Sequence, residues 1–181
     1  MTSAALLRQI RLLLDLVERA PNTDLPSGIS LQEIKDVERR LGLTLPVEMS
    51  AFLRLSNGPV VGPGGLFGVH PQNEFLDIES MYDLHPAWRS EGWIPVAGDG
   101  CGNYYVALER NAGEWPVVFV EMMEDPDAPA FVVASGILVF LIALLEKDLG
   151  AGGWPFDRVS TLESDPEILE YADTLPLPWD S

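Results

Sequence analysis

The chain of 181 residues contains one cysteine, Cys101, and only two histidines, His70 and His85. A single cysteine excludes an internal disulfide framework and is typical of proteins in a reducing compartment. Each histidine precedes a proline, and neither stands at a spacing that indicates a catalytic triad or a metal site. We therefore expect two ordinary loop histidines, no catalytic residue, no metal and no cofactor.

Basic residues are scarce after residue 60. Residues 1–60 hold seven acidic and seven basic side chains, so the remaining residues hold 21 of the 28 acidic but only 4 of the 11 basic ones. The whole net charge of −17 therefore belongs to the last two thirds of the chain. This charge repels nucleic acid and anionic membranes and attracts basic partners, although acidity also serves solubility alone. We expect a protein partner, no nucleic acid and no membrane contact.

Long apolar runs are also lacking. Charged side chains interrupt the leucines of the first twenty residues, so the start does not read as a signal peptide (Arg8, Arg11, Asp15 and Glu18). The uncharged run 128–145 is broken by Pro129 and Ser135-Gly136, and its flanks are acidic. This run predicts a buried strand at 131–134 and a buried helix capped by Ser135. We expect a cytoplasmic protein.

Helices dominate the first part of the chain. Leucine, isoleucine and valine at three- and four-residue steps predict an amphipathic helix over 3–20, ended by Pro21 and followed by a loop over 22–28. Ser30 and Glu33 form a capping-box pattern for a second helix that stops at Gly42. A third helix is expected from Pro46 to a left-handed end at Asn57-Gly58.

Strand patterns follow. A hairpin is expected from 60–61 and 66–69 around the Gly-Pro-Gly-Gly at 62–65, then a weak helix over 77–89. Strands are predicted at 93–97, 104–109 and 115–123, with a turn at 111–113 and Trp115 in the core. Residues 150–181 are acidic and rich in proline and glycine, with a short helix from Asp165 through Ala172.

This order predicts an α+β fold: an antiparallel sheet with packed N-terminal helices, a closing C-terminal helix and an acidic C-terminal extension. We divide the chain into an N-terminal helix and loop (1–28), an α+β domain (29–149) and an extension packed on the same domain (150–181).

Several short motifs in this order resemble the SUKH superfamily. They run from Ile34-x3-Glu38-x2-Leu41-Gly42-x2-Leu45-Pro46 through Phe52-Leu53 and Asn57-Gly58, then Trp93-Ile94-Pro95-Val96, Gly98-Asp99-Gly100, Gly102-Asn103-Tyr104-Tyr105, Val118-Phe119, and Ala134-Ser135 before Phe140-Leu141. The resemblance spans about residues 29–145. That superfamily includes a fungal regulator of cell-wall synthesis and many bacterial immunity proteins. The resemblance implies a protein-binding domain, commonly an immunity protein that neutralises a toxin.

Candidate contacts for a basic partner are four carboxylates around Pro126 and the aromatic residue Tyr105 (Tyr105, Glu121, Glu124, Asp125 and Asp127). A solvated turn and a sheet-covering aromatic residue are the simpler interpretations. The glycine-rich stretch 98–103 is expected to be a hairpin turn, because no helix follows it for phosphate binding and Arg110 stands where a calcium loop needs glutamate. The leading hypothesis is an immunity-type protein that binds a toxin. A cytoplasmic scaffold or regulator is the alternative, and an enzyme is the third.

Overall fold

The computed structural model describes residues 2–18, 25–111 and 113–180, where helices surround a four-stranded antiparallel sheet. Its strands are β1 (Ile94–Gly98), β2 (Tyr104–Ala107), β3 (Val117–Val120) and β4 (Phe131–Ala134), in that order across the sheet. The predicted α+β class is confirmed. Each strand predicted after residue 90 is present, although β2 and β3 are shorter than the sequence pattern indicated.

Seven α-helices and two 3-10 helices lie within the described residues. They are α1 (Ser3–Glu18), α2 (Leu31–Leu41), α3 (Val47–Leu53), α4 (Ile78–Leu84), α5 (Pro86–Glu91), α6 (Ile137–Asp148) and α7 (Arg158–Ser164), with 3-10 helices at Glu74–Leu76 and Pro166–Tyr171. The predicted end of the first helix at residues 19–21 and the loop positions 22–24 lie outside the described residues, as does position 112 of the predicted turn. The expected helix over 77–89 is two helices, because Pro86 starts a new one.

Helix α2 is delimited as its sequence predicts. The hydroxyl of Ser30 accepts the Glu33 N–H at 3.2 Å, and the Glu33 carboxylate accepts the Ser30 N–H at 2.8 Å. Gly42 ends the helix with a φ of 71°, a conformation that costs glycine little. The capping box and the stop are both confirmed.

Helix α3 ends at Leu53, so the prediction that it extends to Asn57-Gly58 is wrong. The chain leaves the helix to pair elsewhere: the side-chain oxygen of Asn57 accepts the Val69 N–H at 2.8 Å, and its amide nitrogen donates to the Val69 carbonyl at 2.9 Å. Gly58 is left-handed, with a φ of 61°, but it belongs to this later turn. A Cβ there would lie 2.6 Å from the backbone nitrogen of Gly68.

The predicted hairpin at 60–69 is also wrong. Its second half pairs with the edge of the sheet: Leu66 bridges Ala97, the Phe67 N–H donates to the Val96 carbonyl at 2.9 Å, and the Gly98 N–H donates to the Gly65 carbonyl at 3.1 Å. The Leu66 N–H donates locally to the Pro59 carbonyl at 3.0 Å, but the described residues of this segment form no pair of strands. This pairing covers one free edge of the sheet.

Both faces of the sheet are covered, because neighbouring residues of β2 project to opposite sides. The ring of Tyr105 lies 5.0 Å from that of Phe140 on α6. The ring of Tyr104 lies 5.5 Å from that of Trp88 on α5 and 6.1 Å from that of Phe67. Helix α1 packs on α6 outside this layer. The central strands are therefore apolar on both faces, as the sequence of β3 predicted.

The uncharged run 128–145 forms β4 and most of α6, as expected, but Ser135 does not cap the helix. The N–H and hydroxyl of Ser135 donate to the buried carboxylate of Asp165 at 2.7 and 2.5 Å. The N–H of Ile137 instead meets the carboxylate of Glu48 from α3. No helix among the described residues is long and apolar enough to cross a membrane.

The C-terminal segment lies along β4. The Val132 N–H donates to the Pro176 carbonyl at 3.0 Å, and the indole N–H of Trp154 donates to the Val133 carbonyl at 3.0 Å. Ile168 is fully buried. The short helix expected from Asp165 is a 3-10 helix, and α7 before it was not predicted. These contacts cover the second free edge of the sheet.

Candidate partner-binding surface

The loop between β3 and β4, residues 121–130 (the acidic loop), carries the four predicted carboxylates. Glu124, Asp125 and Asp127 are exposed, whereas Glu121 is partly buried. Among the described residues, none of the four forms an ion pair with a basic side chain. The loop therefore presents uncompensated negative charge to solvent.

Hydrogen bonds hold the acidic loop in a defined shape. The N–H groups of Glu124 and Asp125 both donate to the Glu121 carbonyl at 3.1 Å, and the Asp127 N–H donates to the Asp125 carboxylate at 3.0 Å. The indole N–H of Trp88 donates to the Pro126 carbonyl at 2.9 Å. A loop fixed in this way loses less conformational entropy on binding than a free one would.

A second attachment joins the acidic loop to the turn between β1 and β2. The Met122 N–H donates to the side-chain oxygen of Asn103 at 3.1 Å. Met123, next to it, is 92% exposed. An apolar side chain therefore stands beside the carboxylates, where contact with a partner would bury it.

His85 lies beneath this region. Its ring stacks on Trp88 at a centroid distance of 4.2 Å, and its Nε2 atom is buried without a hydrogen-bond partner in the described part of the chain. Burial lowers the pKa of His85 below its usual value, and the negative charge of Asp127 opposes that shift. The imidazole is therefore neutral at pH 7 and adds no positive charge to this surface.

The structure does not bring Tyr105 together with the acidic loop. Its ring packs between Phe119, at 5.3 Å, and Phe140, at 5.0 Å, on the side of the sheet that α6 covers. Burial raises the pKa of Tyr105 to about 12. Contact between this residue and a partner remains a prediction.

The glycine-rich stretch 98–103 is the hairpin turn that the sequence predicted. The carboxylate of Asp99 accepts the N–H groups of Cys101 and Asn103 at 2.7 and 2.9 Å and the side-chain amide of Asn103 at 2.8 Å. A Cβ on Gly64 would lie 2.3 Å from the backbone of Gly98, so the Gly-Pro-Gly-Gly segment also needs its glycine there to pack on this turn. The Asp99 carboxylate therefore stabilises the backbone of the turn.

The other candidates for chemistry are His70 and Cys101. His70 has its Nε2 atom 3.3 Å from the Gly58 carbonyl, and Cys101 is exposed. In residues 2–18, 25–111 and 113–180, no group of three or more histidine, cysteine, aspartate or glutamate side chains is placed to hold a metal ion.

A groove beside the 3-10 helix at Glu74–Leu76 was not predicted from the sequence. Seven residues of this helix, α4 and β2 line it (Glu74, Phe75, Ser80, Met81, Asp83, Leu84 and Tyr104), around a volume of about 520 Å³. Phe75, an apolar residue that follows the polar residues 72–74, was the feature of the sequence that could have indicated the groove. Single exposed apolar residues are too common for that signal to count alone.

Taken together, a four-stranded antiparallel sheet covered by helices on both faces, with an ordered acidic loop, defines an α+β domain. The model of the SMI1 / KNR4 family (SUKH-1) matches residues 28–143, and the chain belongs to this family. No curated protein in the comparison matches the chain. The match runs from before α2 into α6 and confirms the resemblance found in the sequence.

Proposed function

We propose that this chain is a non-catalytic, immunity-type protein that binds and blocks a basic toxin domain in the cytoplasm. Membership of the SMI1 / KNR4 family (SUKH-1) supports an immunity-type or regulatory role. The observation that carries the toxin-binding proposal is the acidic loop, whose exposed carboxylates Glu124, Asp125 and Asp127 have no basic partner among the described residues.

Charge compensation differs between the two parts of the molecule. Within the N-terminal part Arg39 pairs with Asp36 at 2.8 Å, and Arg40 of the same part pairs with Glu79 of α4 at 2.5 Å. Among the described residues the acidic loop forms no such ion pair, so its negative field extends into solvent. Long-range attraction of this kind raises the rate at which a basic partner arrives, and affinity then depends on a few buried contacts.

The test is protection of a cell that expresses the cognate toxin. The candidate toxin is the one encoded beside this gene in its source genome, expressed as its isolated toxic domain. We expect survival only when the chain is co-expressed, together with a stable complex between the chain and a catalytically inactive form of the toxin.

Two results would contradict the proposal. Protection without any complex, accompanied by turnover of the toxin or its product, would show that the chain is an enzyme. A stable complex with a cellular protein that has no toxic activity, and no protection against the toxin, would show a scaffold or regulator instead. Substitutions in the acidic loop need a control of equal charge change. Asp15→Lys with Glu18→Lys supplies it, because both side chains are exposed on α1.

A further inference from the structure

The groove beside the 3-10 helix has exposed apolar side chains at its margin. Phe75 is 88% exposed and Leu84 is 63% exposed, while Met81 is buried and Tyr104 partly buried among the lining residues. Its volume of about 520 Å³ falls within the range of small binding pockets. Contact with an apolar side chain would remove Phe75 and Leu84 from water.

The rim of this groove is acidic. Glu74 and Asp83 line it, both are exposed, and neither forms an ion pair in the part of the chain that the structure describes. Glu79, on the same helix as Asp83, is paired with Arg40 through its carboxylate at 2.5 Å. Compensation of charge along α4 therefore stops before the groove.

The groove also adjoins the acidic loop. Tyr104 lines the groove, and its neighbour Asn103 accepts the N–H of Met122 at the start of that loop. The ring of Tyr104 also lies 5.3 Å from that of His85. The negative charge of Asp127 acts to raise the pKa of His85, against the larger effect of burial. One surface thus combines an apolar groove with two groups of uncompensated carboxylates.

We propose that this groove is the anchoring site for a basic segment of the protein partner, which inserts one large apolar side chain flanked by lysine or arginine. This proposal takes the identity of the partner from the proposed function. The chemistry of the partner's segment is inferred from the groove itself. An apolar anchor within a charged rim is the usual arrangement of an interface centre. The acidic rim disfavours a second copy of this chain and nucleic acid, because both would bring negative charge to it.

The test uses a short fluorescein-labelled peptide in which one tryptophan is flanked by lysines. Control peptides replace tryptophan by alanine or the lysines by glutamate. The protein variants are Phe75→Ala and Leu84→Ala, with Leu12→Ala as the matched control because Leu12 on α1 is 65% exposed. Glu74→Gln combined with Asp83→Asn removes the charge of the rim without changing its shape.

We expect Phe75→Ala with Leu84→Ala, and separately the two amide substitutions, each to weaken peptide binding roughly tenfold, and Leu12→Ala to leave it unchanged. Equal binding by wild type and the Phe75/Leu84 variant would overturn the proposal, since only charge would then hold the peptide. Self-association in sedimentation that Leu84→Ala abolishes would also overturn it, as a second copy would be the occupant.

The same variants are then measured against the inactive toxin domain. Toxin binding that the Phe75/Leu84 variant retains would overturn the groove as the anchoring site and leave the proposed function standing. Groove-dependent peptide binding without any toxin binding would support the groove and contradict the proposed function.

Discussion

Asp165→Ala removes the carboxylate that ties the C-terminal segment to the sheet. Asp165 is only 4% exposed, and its two oxygens accept the N–H and the hydroxyl of Ser135 at 2.7 and 2.5 Å. Hydrogen bonds to a charged group contribute about 1.5–3 kcal/mol each. Burial raises the pKa of Asp165 in spite of these bonds, because desolvation of the carboxylate outweighs their effect on its ionisation. We expect Asp165→Ala to lower the free energy of unfolding by about 2–4 kcal/mol.

A double-mutant cycle separates this contact from other effects of the substitution. Ser135→Ala removes the hydroxyl bond and should cost about 1–2 kcal/mol, and the double variant should cost less than the sum of the single ones by about 1 kcal/mol. Urea unfolding at pH 7 measures all four proteins. Asp157→Ala is the control, because exposed Asp157 accepts the Ser160 N–H at 2.9 Å but does not contact Ser135. If the two substitutions are additive within about 0.5 kcal/mol, Asp165 and Ser135 do not stabilise the fold through their contact.

Two further predictions concern α6 and the left-handed turn. Burial raises the pKa of Glu48, whose bond from the Ile137 N–H opposes the shift less strongly, so folding favours the protonated form. The stability of the wild type relative to Glu48→Gln should fall as the pH rises from about 4.5 through the raised pKa, and a constant difference in urea unfolding would contradict this. Gly58→Ala should lower the melting temperature more than Gly92→Ala, because φ is similar (61° and 69°) but only the Cβ at Gly58 meets backbone, 2.6 Å from Gly68. Equal melting temperatures would contradict the close approach.

Local patterns predicted the elements that local forces define. The capping box of Ser30 and Glu33 acts within one helical turn, so sequence alone located the start of α2. The strands after residue 90 could be read from apolar runs between turn residues, because the sheet pairs neighbours in chain order. The motifs of the family lie on these same elements.

Contacts between distant parts of the chain were not predictable in this way. Ser135 lies next to a helix start and resembles a cap, but Asp165, thirty residues away, takes both of its donors. Leu66 bridges Ala97, a distant residue, although its N–H also donates to the nearby Pro59 carbonyl at 3.0 Å. No periodicity encodes such bonds.

The candidate surface divides along the same line. The carboxylates of the acidic loop were found because they are adjacent in sequence. What covers Tyr105 depends on where α6 packs on the sheet. The meeting of Phe75 with Leu84 and Tyr104 around one groove depends on how α4 and the 3-10 helix lie beside β2. Those positions follow only from the folded structure.

The rate of association with the inactive toxin domain, measured at low and high salt, shows whether the acidic loop attracts a basic partner. Glu124→Lys with Asp127→Lys is compared with Asp15→Lys with Glu18→Lys, since each pair changes the net charge equally and all four side chains are exposed. The account predicts roughly tenfold slower association at low salt for the acidic-loop pair, little change for the α1 pair, and convergence of the rates at high salt. An association rate that neither salt nor the acidic-loop reversal alters would contradict it.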